Sequence, residues 1–180
     1  MTQSRIEPLN PPYAAEVQQA FDVVMRGLPP LKLFRTVAHN PRVLQRMMAG
    51  GLLDKGSITL RQRELMILRT TARCGAEYEW GVHVVAYGPK AGWTAAELAA
   101  SVAPEVDAAW KADERLIIRL ADELHETQRI SDGLWQELGT VFQPDQLIEL
   151  IMLAGLYHAV SYLLNGLRIE LEAGVPRFPA

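Results

Sequence analysis

The stretch LRQRELMILRTTARCGAEYEWGVH, residues 60–83, decides the fold. At 100° per residue, Leu60, Ile67, Leu68 and Thr71 share one face, with Leu65 and Ala72 alongside, and Gln62, Arg69 and Arg73 lie opposite. That spacing predicts a helix over Leu60–Arg73, with N-cap residues in Ser57–Thr59 and a break at Gly75. A second helix follows over about Glu77–Lys90 and stops at Gly92. Tyr78, Val82 and Val85 form one apolar face of it and Trp80 and Val84 another, leaving Glu79, His83 and Lys90 as its polar stripe.

The helical reading extends in both directions. A Pro-rich arm, 1–12, precedes a helix over Tyr13–Arg26, which the Gly27–Pro30 segment ends. A short helix is expected over Leu31–Ala38. Asn40-Pro41 reads as an N-cap with proline at the first helical position, opening a helix that runs to about Leu53 and ends near Gly56. Thr94-Ala-Ala-Glu97 is a capping-box signature. Val106–Gln128 reads as a long amphipathic helix, Ser131 starts a short one, Pro144 opens the final one, and 173–180 is an irregular tail. No run alternates with period 2, and no repeat or linker divides the chain. The expectation is one all-α domain over 1–180, with about eight helices.

Composition narrows the function. Eighteen Lys plus Arg against 21 Asp plus Glu give a net charge of −3, so nothing electrostatic points to nucleic acid or an anionic membrane. The single cysteine, Cys74, excludes an internal disulfide, a Cys-x-x-Cys pair and a cysteine-rich zinc site. There is no phosphate-binding glycine loop, no Gly-x-Ser-x-Gly elbow and no His-x-x-x-His pair. No apolar leader is visible, and the expected location is cytoplasmic. The 18 residues Leu150–Leu167 carry no Asp, Glu, Lys or Arg, the lower length limit for a membrane span. Tyr157, His158, Ser161, Tyr162 and Asn165 make the segment too polar for lipid, so it is expected to be a buried central helix. A bundle this small does not readily surround so apolar a helix, which favours an oligomer.

Four sets of residues carry possible chemistry. Glu64 falls within an apolar face, where a carboxylate is costly unless paired, hydrogen-bonded or neutralised. Burial would raise its pKa towards acid–base use, and the alternative is a structural glutamate held by a cap or an arginine. Glu79 and His83 stand at i, i+4, so the carboxylate can orient the imidazole and raise its basicity; the alternative is a solvated pair. Tyr87 is one turn further on. On the last helix His158, Ser161 and Asn165 share a side, as pocket lining or as satisfied core polar groups. His39 and His125 read as surface residues. Arg61, Arg63, Arg69 and Arg73 suit salt bridges on a solvated or oligomer-facing surface, or the anchoring of a substrate carboxylate.

The run RQRELMILRTTARCGAEYEWGVH, residues 61–83, resembles the carboxymuconolactone decarboxylase family, which includes alkylhydroperoxidase D. PLKLFRTVAHNPRVL (30–44) and AGWTAAEL (91–98) are similar to its longer members. In the peroxidase branch a glutamate is followed twelve residues later by Cys-x-x-Cys, and a histidine stands four residues beyond the second cysteine. Here Glu64 and His83 match the glutamate and histidine, Ala76 and Glu79 occupy the two cysteine positions, and Tyr78 replaces a relay histidine between them. Cys74 lies two residues before the first position.

The resemblance therefore implies the branch without the thiol pair. A two-thiol peroxidase needs one thiolate to attack peroxide and a second thiol to resolve the sulfenic acid. What remains suits cofactor-free acid–base chemistry, such as decarboxylation, isomerisation or lactone chemistry, on a small anionic carboxylated molecule of the kind met in aromatic compound catabolism. The implied catalytic set is His83 as acid/base, Glu79 orienting it, and Glu64 as second proton carrier. Tyr78, Tyr87, Cys74 and His158 are candidate pocket residues. The resemblance also implies a homo-oligomer, trimer or hexamer, with sites near subunit contacts. Glu64, Glu79 and His83 are competent metal ligands, but without a second histidine no metal is assigned, and no cofactor is expected. The alternatives are a peroxidase running on Cys74 alone and a non-catalytic helical ligand-binding assembly.

Overall fold

A computed structural model describes residues 4–105 and 110–179. Among these residues there are nine helices and no strand: α1 (Ala15–Met25), α2 (Lys32–Val37), α3 (Pro41–Ala49), α4 (Leu60–Arg73), α5 (Glu77–Ala91), α6 (Ala95–Val102), α7 (Ala112–Thr127), α8 (Asp132–Gly139) and α9 (Pro144–Leu167). The all-α expectation holds, with one helix more than the expected eight.

Local signals set most boundaries. Asn40 Oδ1 accepts the Val43 N–H ahead of Pro41, and Thr59 with Gln62 and Thr94 with Glu97 form complete capping boxes. Gly92, at φ 71°, closes α5 in a left-handed conformation that favours glycine. Two expected boundaries move. Helix α3 ends at Ala49 and not near Leu53, because the chain leaves the helix at Gly50. Helix α7 starts at Ala112; positions 106–109 of the expected Val106–Gln128 helix lie outside the described residues.

Helix α4 is the centre of the fold. It packs against α5, α6, α7 and α9, and every residue from Arg63 to Thr71 is buried. One core, built on Leu65, Met66, Ile67, Ile117, Leu120, Leu138, Leu150 and Leu153, joins α4 to α7, α8 and α9. A second, with Phe21, Leu33, Leu44, Tyr78 and Leu164, seats α1–α3 on α5 and the end of α9.

The structure corrects the expected role of α9. This helix is long and apolar enough to cross a membrane, yet it is buried on one side only. Leu147, Leu150, Leu153, Ala154, Tyr157, Ser161 and Leu164 face inward, while Ile148, Met152 and Tyr162 are exposed. The central buried helix is α4.

Burying α4 all round also buries its arginines, so the solvated arginine face is corrected too. Arg69 is fully buried and grips Asp122 of α7 through two bonds, Nε–Oδ1 at 2.6 Å and Nη2–Oδ2 at 2.7 Å, while Nη1 donates to the Ser101 and Ala103 carbonyls. Arg61 pairs with Glu97 and Glu114 and lies over the Trp93 ring, and Arg73 reaches Asp122 and Glu126. The C-terminal tail is irregular, as expected, and packs on α5: a Cβ on Gly81 would stand 2.4 Å from the Pro176 carbonyl oxygen, so this approach requires glycine. Arg69→Met should destabilise the fold by roughly 3–5 kcal/mol, because Asp122 and two carbonyls lose their partner. Arg119→Met, at an exposed pair with Glu137, should cost under about 1 kcal/mol. Urea unfolding of the two variants side by side checks this.

Candidate active site

Glu64 and His83 meet inside the protein. Helix α4 carries Glu64 on its inward side and α5 carries His83, and Glu64 Oε2 stands 2.7 Å from His83 Nδ1, with both side chains buried. Helical spacing then places Glu79 one turn before His83, with Oε1 3.5 Å from His83 Nε2. Glu64, Glu79 and His83 thus share one cluster.

Two further residues join the cluster without having been expected there. Tyr157 of α9 has its hydroxyl 3.0 Å from His83 Nε2, so both ring nitrogens are engaged. Arg63 donates from Nε to Glu64 Oε1 at 2.9 Å and from Nη1 to the Leu53 carbonyl at 2.7 Å, and its guanidinium lies 5.0 Å from the centre of the Tyr87 ring. The available signal for Arg63 was its place next to Glu64. Tyr157 had none, since nothing in α9 distinguishes it from Tyr162.

The two glutamates differ in how closely they approach His83. Glu64 is the close partner of His83, anchored from behind by Arg63. Glu79 is the looser partner, and its Oε2 is buried with no hydrogen-bond partner among the described residues. A buried carboxylate oxygen left unpaired is costly, and such atoms concentrate where a ligand or substrate supplies the missing donor.

Electrostatics fix the protonation states. Burial alone would push His83 down, but its hydrogen bonds to Glu64 and Glu79 and their charges outweigh it and lift the imidazole to about 9. At neutral pH it is an imidazolium between two carboxylates. Burial, reinforced by the Glu79 and Glu64 charges, holds the Tyr157 phenol well above its ordinary range, so it stays protonated. Tyr87 is half-buried, its ring centroid 5.2 Å from that of His83, and it is raised by burial and then by Glu64. Arg63 also lines a cavity of about 270 Å³ with Glu149 and the chain between Leu53 and Leu60, so one side chain touches both this opening and the buried cluster.

The remaining candidates lie elsewhere. Tyr78 belongs to the second core, where its hydroxyl donates to Glu172 at 2.6 Å and accepts from the Leu33 N–H. Ala76 is buried at the N-cap of α5, so a methyl group and the Glu79 carboxylate occupy the two positions where a peroxidase of this type would hold thiols. Cys74 and His158 line a separate cavity of about 560 Å³ together with His125. The expectation of a surface His125 is corrected: it is half-buried, with Nδ1 3.1 Å from His158 Nε2 and 3.7 Å from Cys74 Sγ. His39 is exposed, as expected, against the Glu7 carbonyl.

Comparison with known proteins agrees with this architecture. Residues 41–123 match the model of the carboxymuconolactone decarboxylase family. An uncharacterized peroxidase-related protein from Silicibacter sp. TM1040 superposes with a TM-score of 0.80 at 16% identity, over 96% of this chain and 93% of that one. The debrominase Bmp8, as a Cys-to-Ala variant with 2,3,4-tribromopyrrole, gives 0.78 at 14% identity, over 96% and 94%. An alkylhydroperoxidase AhpD core protein from Ralstonia eutropha JMP134 gives 0.69 at 13%, over 93% of each chain. No curated protein matches significantly. At these identities the superpositions establish the fold.

The raised pKa of His83 carries a stability consequence with a definite sign. A folded-state value of about 9 against about 6.5 unfolded means the extra stability is fully present below pH 6.5 and is lost as pH rises through 9. The loss should be on the order of 3 kcal/mol. Urea midpoints between pH 6 and pH 9.5 should fall in wild type, and the His83→Gln variant should show a flatter profile over that window.

Proposed function

With residues 41–123 belonging to the carboxymuconolactone decarboxylase family, we propose that the chain is an enzyme of cofactor-free proton transfer. It acts on a small carboxylated molecule by decarboxylation, isomerisation or lactone chemistry. The observation that carries this reading is the free Glu79 Oε2 beside the His83 imidazolium.

In this mechanism Glu79 is the base and His83 the acid. For isomerisation, Glu79 Oε2 takes a proton from the carbon next to a carbonyl, the electron pair passes into the enolate, and His83 Nε2–H returns a proton at the new position. For decarboxylation, the bond to the carboxylate breaks, carbon dioxide leaves, and the electron pair stays on the substrate carbon, which His83 then protonates. Glu64 holds the imidazole in place and stabilises its charged form, and Arg63 anchors Glu64 from behind. The Tyr157 hydroxyl, 3.0 Å from Nε2, accepts that N–H in the resting site and yields it when the substrate enters. The chain would work as a cytoplasmic homo-oligomer, a trimer or hexamer. The exposed apolar side of α9, with Ile148, Met152 and Tyr162, supports that assembly.

The peroxidase reading finds less support, since Cys74 and the Glu64–His83 cluster occupy different places in the fold. Ten residues of helix separate Glu64 from Cys74, about 15 Å along the axis.

The test is exchange of solvent deuterium into 4-carboxymuconolactone and related carboxylated lactones, with carbon dioxide release followed in parallel. Glu79→Gln and His83→Asn should each lower turnover by roughly 10²- to 10⁴-fold. Full turnover in either variant would sink the assignment. Hydroperoxide consumption that disappears in Cys74→Ser would replace it with the thiol reading.

A further inference from the structure

Cys74, His125 and His158 come from three different helical elements, the C-cap of α4, the last turn of α7 and the middle of α9. They converge on the wall of the cavity of about 560 Å³, away from the Glu64–His83 cluster. Their donor atoms Sγ, Nδ1 and Nε2 all lie within 4.8 Å of one another. His125 and His158 stand beyond the matched segment 41–123, so the family resemblance does not account for the grouping.

The tautomers suit metal binding. His158 Nδ1–H donates to the Ala154 carbonyl at 3.0 Å, one turn back on its own helix. That bond puts the ring proton on Nδ1, leaves Nε2 with a bare lone pair, and aims Nε2 at His125 and Cys74. A backbone carbonyl holding the far nitrogen of a ligating histidine is a recurrent device of metal sites. Cys74 is held as well: Asn165 Nδ2 donates to its carbonyl at 2.8 Å, tying the end of α4 to α9.

The distances fit a tetrahedral centre. With metal–nitrogen bonds of about 2.0–2.1 Å and a metal–sulfur bond of about 2.3 Å, the edges of such a centre are roughly 3.3 Å for N···N and 3.6 Å for S···N. The observed separations are 3.1 Å between the two histidines and 3.7 Å between Cys74 and His125. One thiolate and two imidazoles select a borderline transition metal, whereas magnesium and calcium require oxygen ligands.

We propose that Cys74, His125 and His158 form a three-ligand site for a divalent transition metal of the zinc class, with the fourth position open to the cavity. Three protein ligands and one open position are the pattern of a reactive centre, not of a closed structural one, and the open position takes water or a small anion. Binding releases one proton, from the Cys74 thiol as it becomes the thiolate ligand. The His125 ring keeps its proton, which moves from Nδ1 to Nε2 as Nδ1 turns to the metal.

The test is titration of cobalt(II) into the full chain after chelator treatment, followed by absorption. One equivalent should give a thiolate-to-cobalt charge-transfer band with the intense visible bands of a four-coordinate ion, and zinc should displace it. Cys74→Ser should abolish the charge-transfer band. His125→Gln and His158→Gln should each weaken cobalt binding roughly tenfold or more, while His39→Gln, at an exposed histidine, should leave it unchanged. Should Cys74→Ser fail to fold, the two histidine variants decide the question on their own. Absence of a charge-transfer band at one equivalent overturns the proposal, as does a band whose affinity neither histidine variant alters.

Discussion

The structure depends on one constraint: α4 is buried on every side and still carries Arg63, Glu64 and Arg69. A charge taken from water must be paired or neutralised. Each of the three has a designated partner, and those partners fix where the other helices lie. Arg69 needs Asp122 and the carbonyls after α6, which positions α7 and α6. Glu64 needs His83 and Arg63, which sets α5 against α4 and draws in the Leu53 carbonyl. The bidentate Arg69–Asp122 pair answers a purely structural demand. The Glu64–His83 pair answers a similar demand and, with the same atoms, presents an imidazolium beside a second carboxylate.

Helix α9 completes two sites because consecutive residues on a helix point about 100° apart. Tyr157 turns inward to His83, and His158 turns to Cys74 and His125. One step along the chain therefore separates the two polar centres of the protein. The charges that act on His83 are those of Glu64 and Glu79, whereas His125 feels His158, Arg73, Glu126 and Asp122, so each centre keeps its own electrostatic surroundings. Cys74 therefore belongs to the second centre, although it lies only a few residues from Ala76 and Glu79 in sequence.

Local signals in the sequence were enough for the helices. Capping residues at Asn40, Thr59 and Thr94 and the 3.6-residue period of Leu60–Arg73 found their counterparts in the fold. Glu64 and the Glu79–His83 pair were legible because helical position alone shows a carboxylate in an apolar stripe and an i, i+4 contact. What was not legible depends on chain-distant partners. Arg69 reads as solvated from its helix face, and only Asp122, 53 residues on, explains its burial. His125 reads as a surface residue near a helix end until α9 brings His158 beside it. No motif of fixed spacing describes ligands from three elements. The early end of α3 is different: Gly50-Gly51 is a local stop signal that stands in the sequence itself, ahead of the expected end near Leu53.

The unpaired Glu79 Oε2 bears on how the site came to hold its charge. Leaving a buried carboxylate oxygen without a donor costs about 1–3 kcal/mol or more, and a fold selected only for stability would supply a hydroxyl or amide there. Donors are close by, since Tyr157 and His83 already meet at Nε2, yet neither is committed to that oxygen. Glu64 and Glu79 together keep His83 positively charged, while the second oxygen of Glu79 stays without a donor. The cluster sets two cations, Arg63 and the His83 imidazolium, against two carboxylates, Glu64 and Glu79, so its charge balances while one carboxylate oxygen stays unpaired. Glu79, held loosely at 3.5 Å, makes physical sense as a group whose partner is supplied from outside the fold.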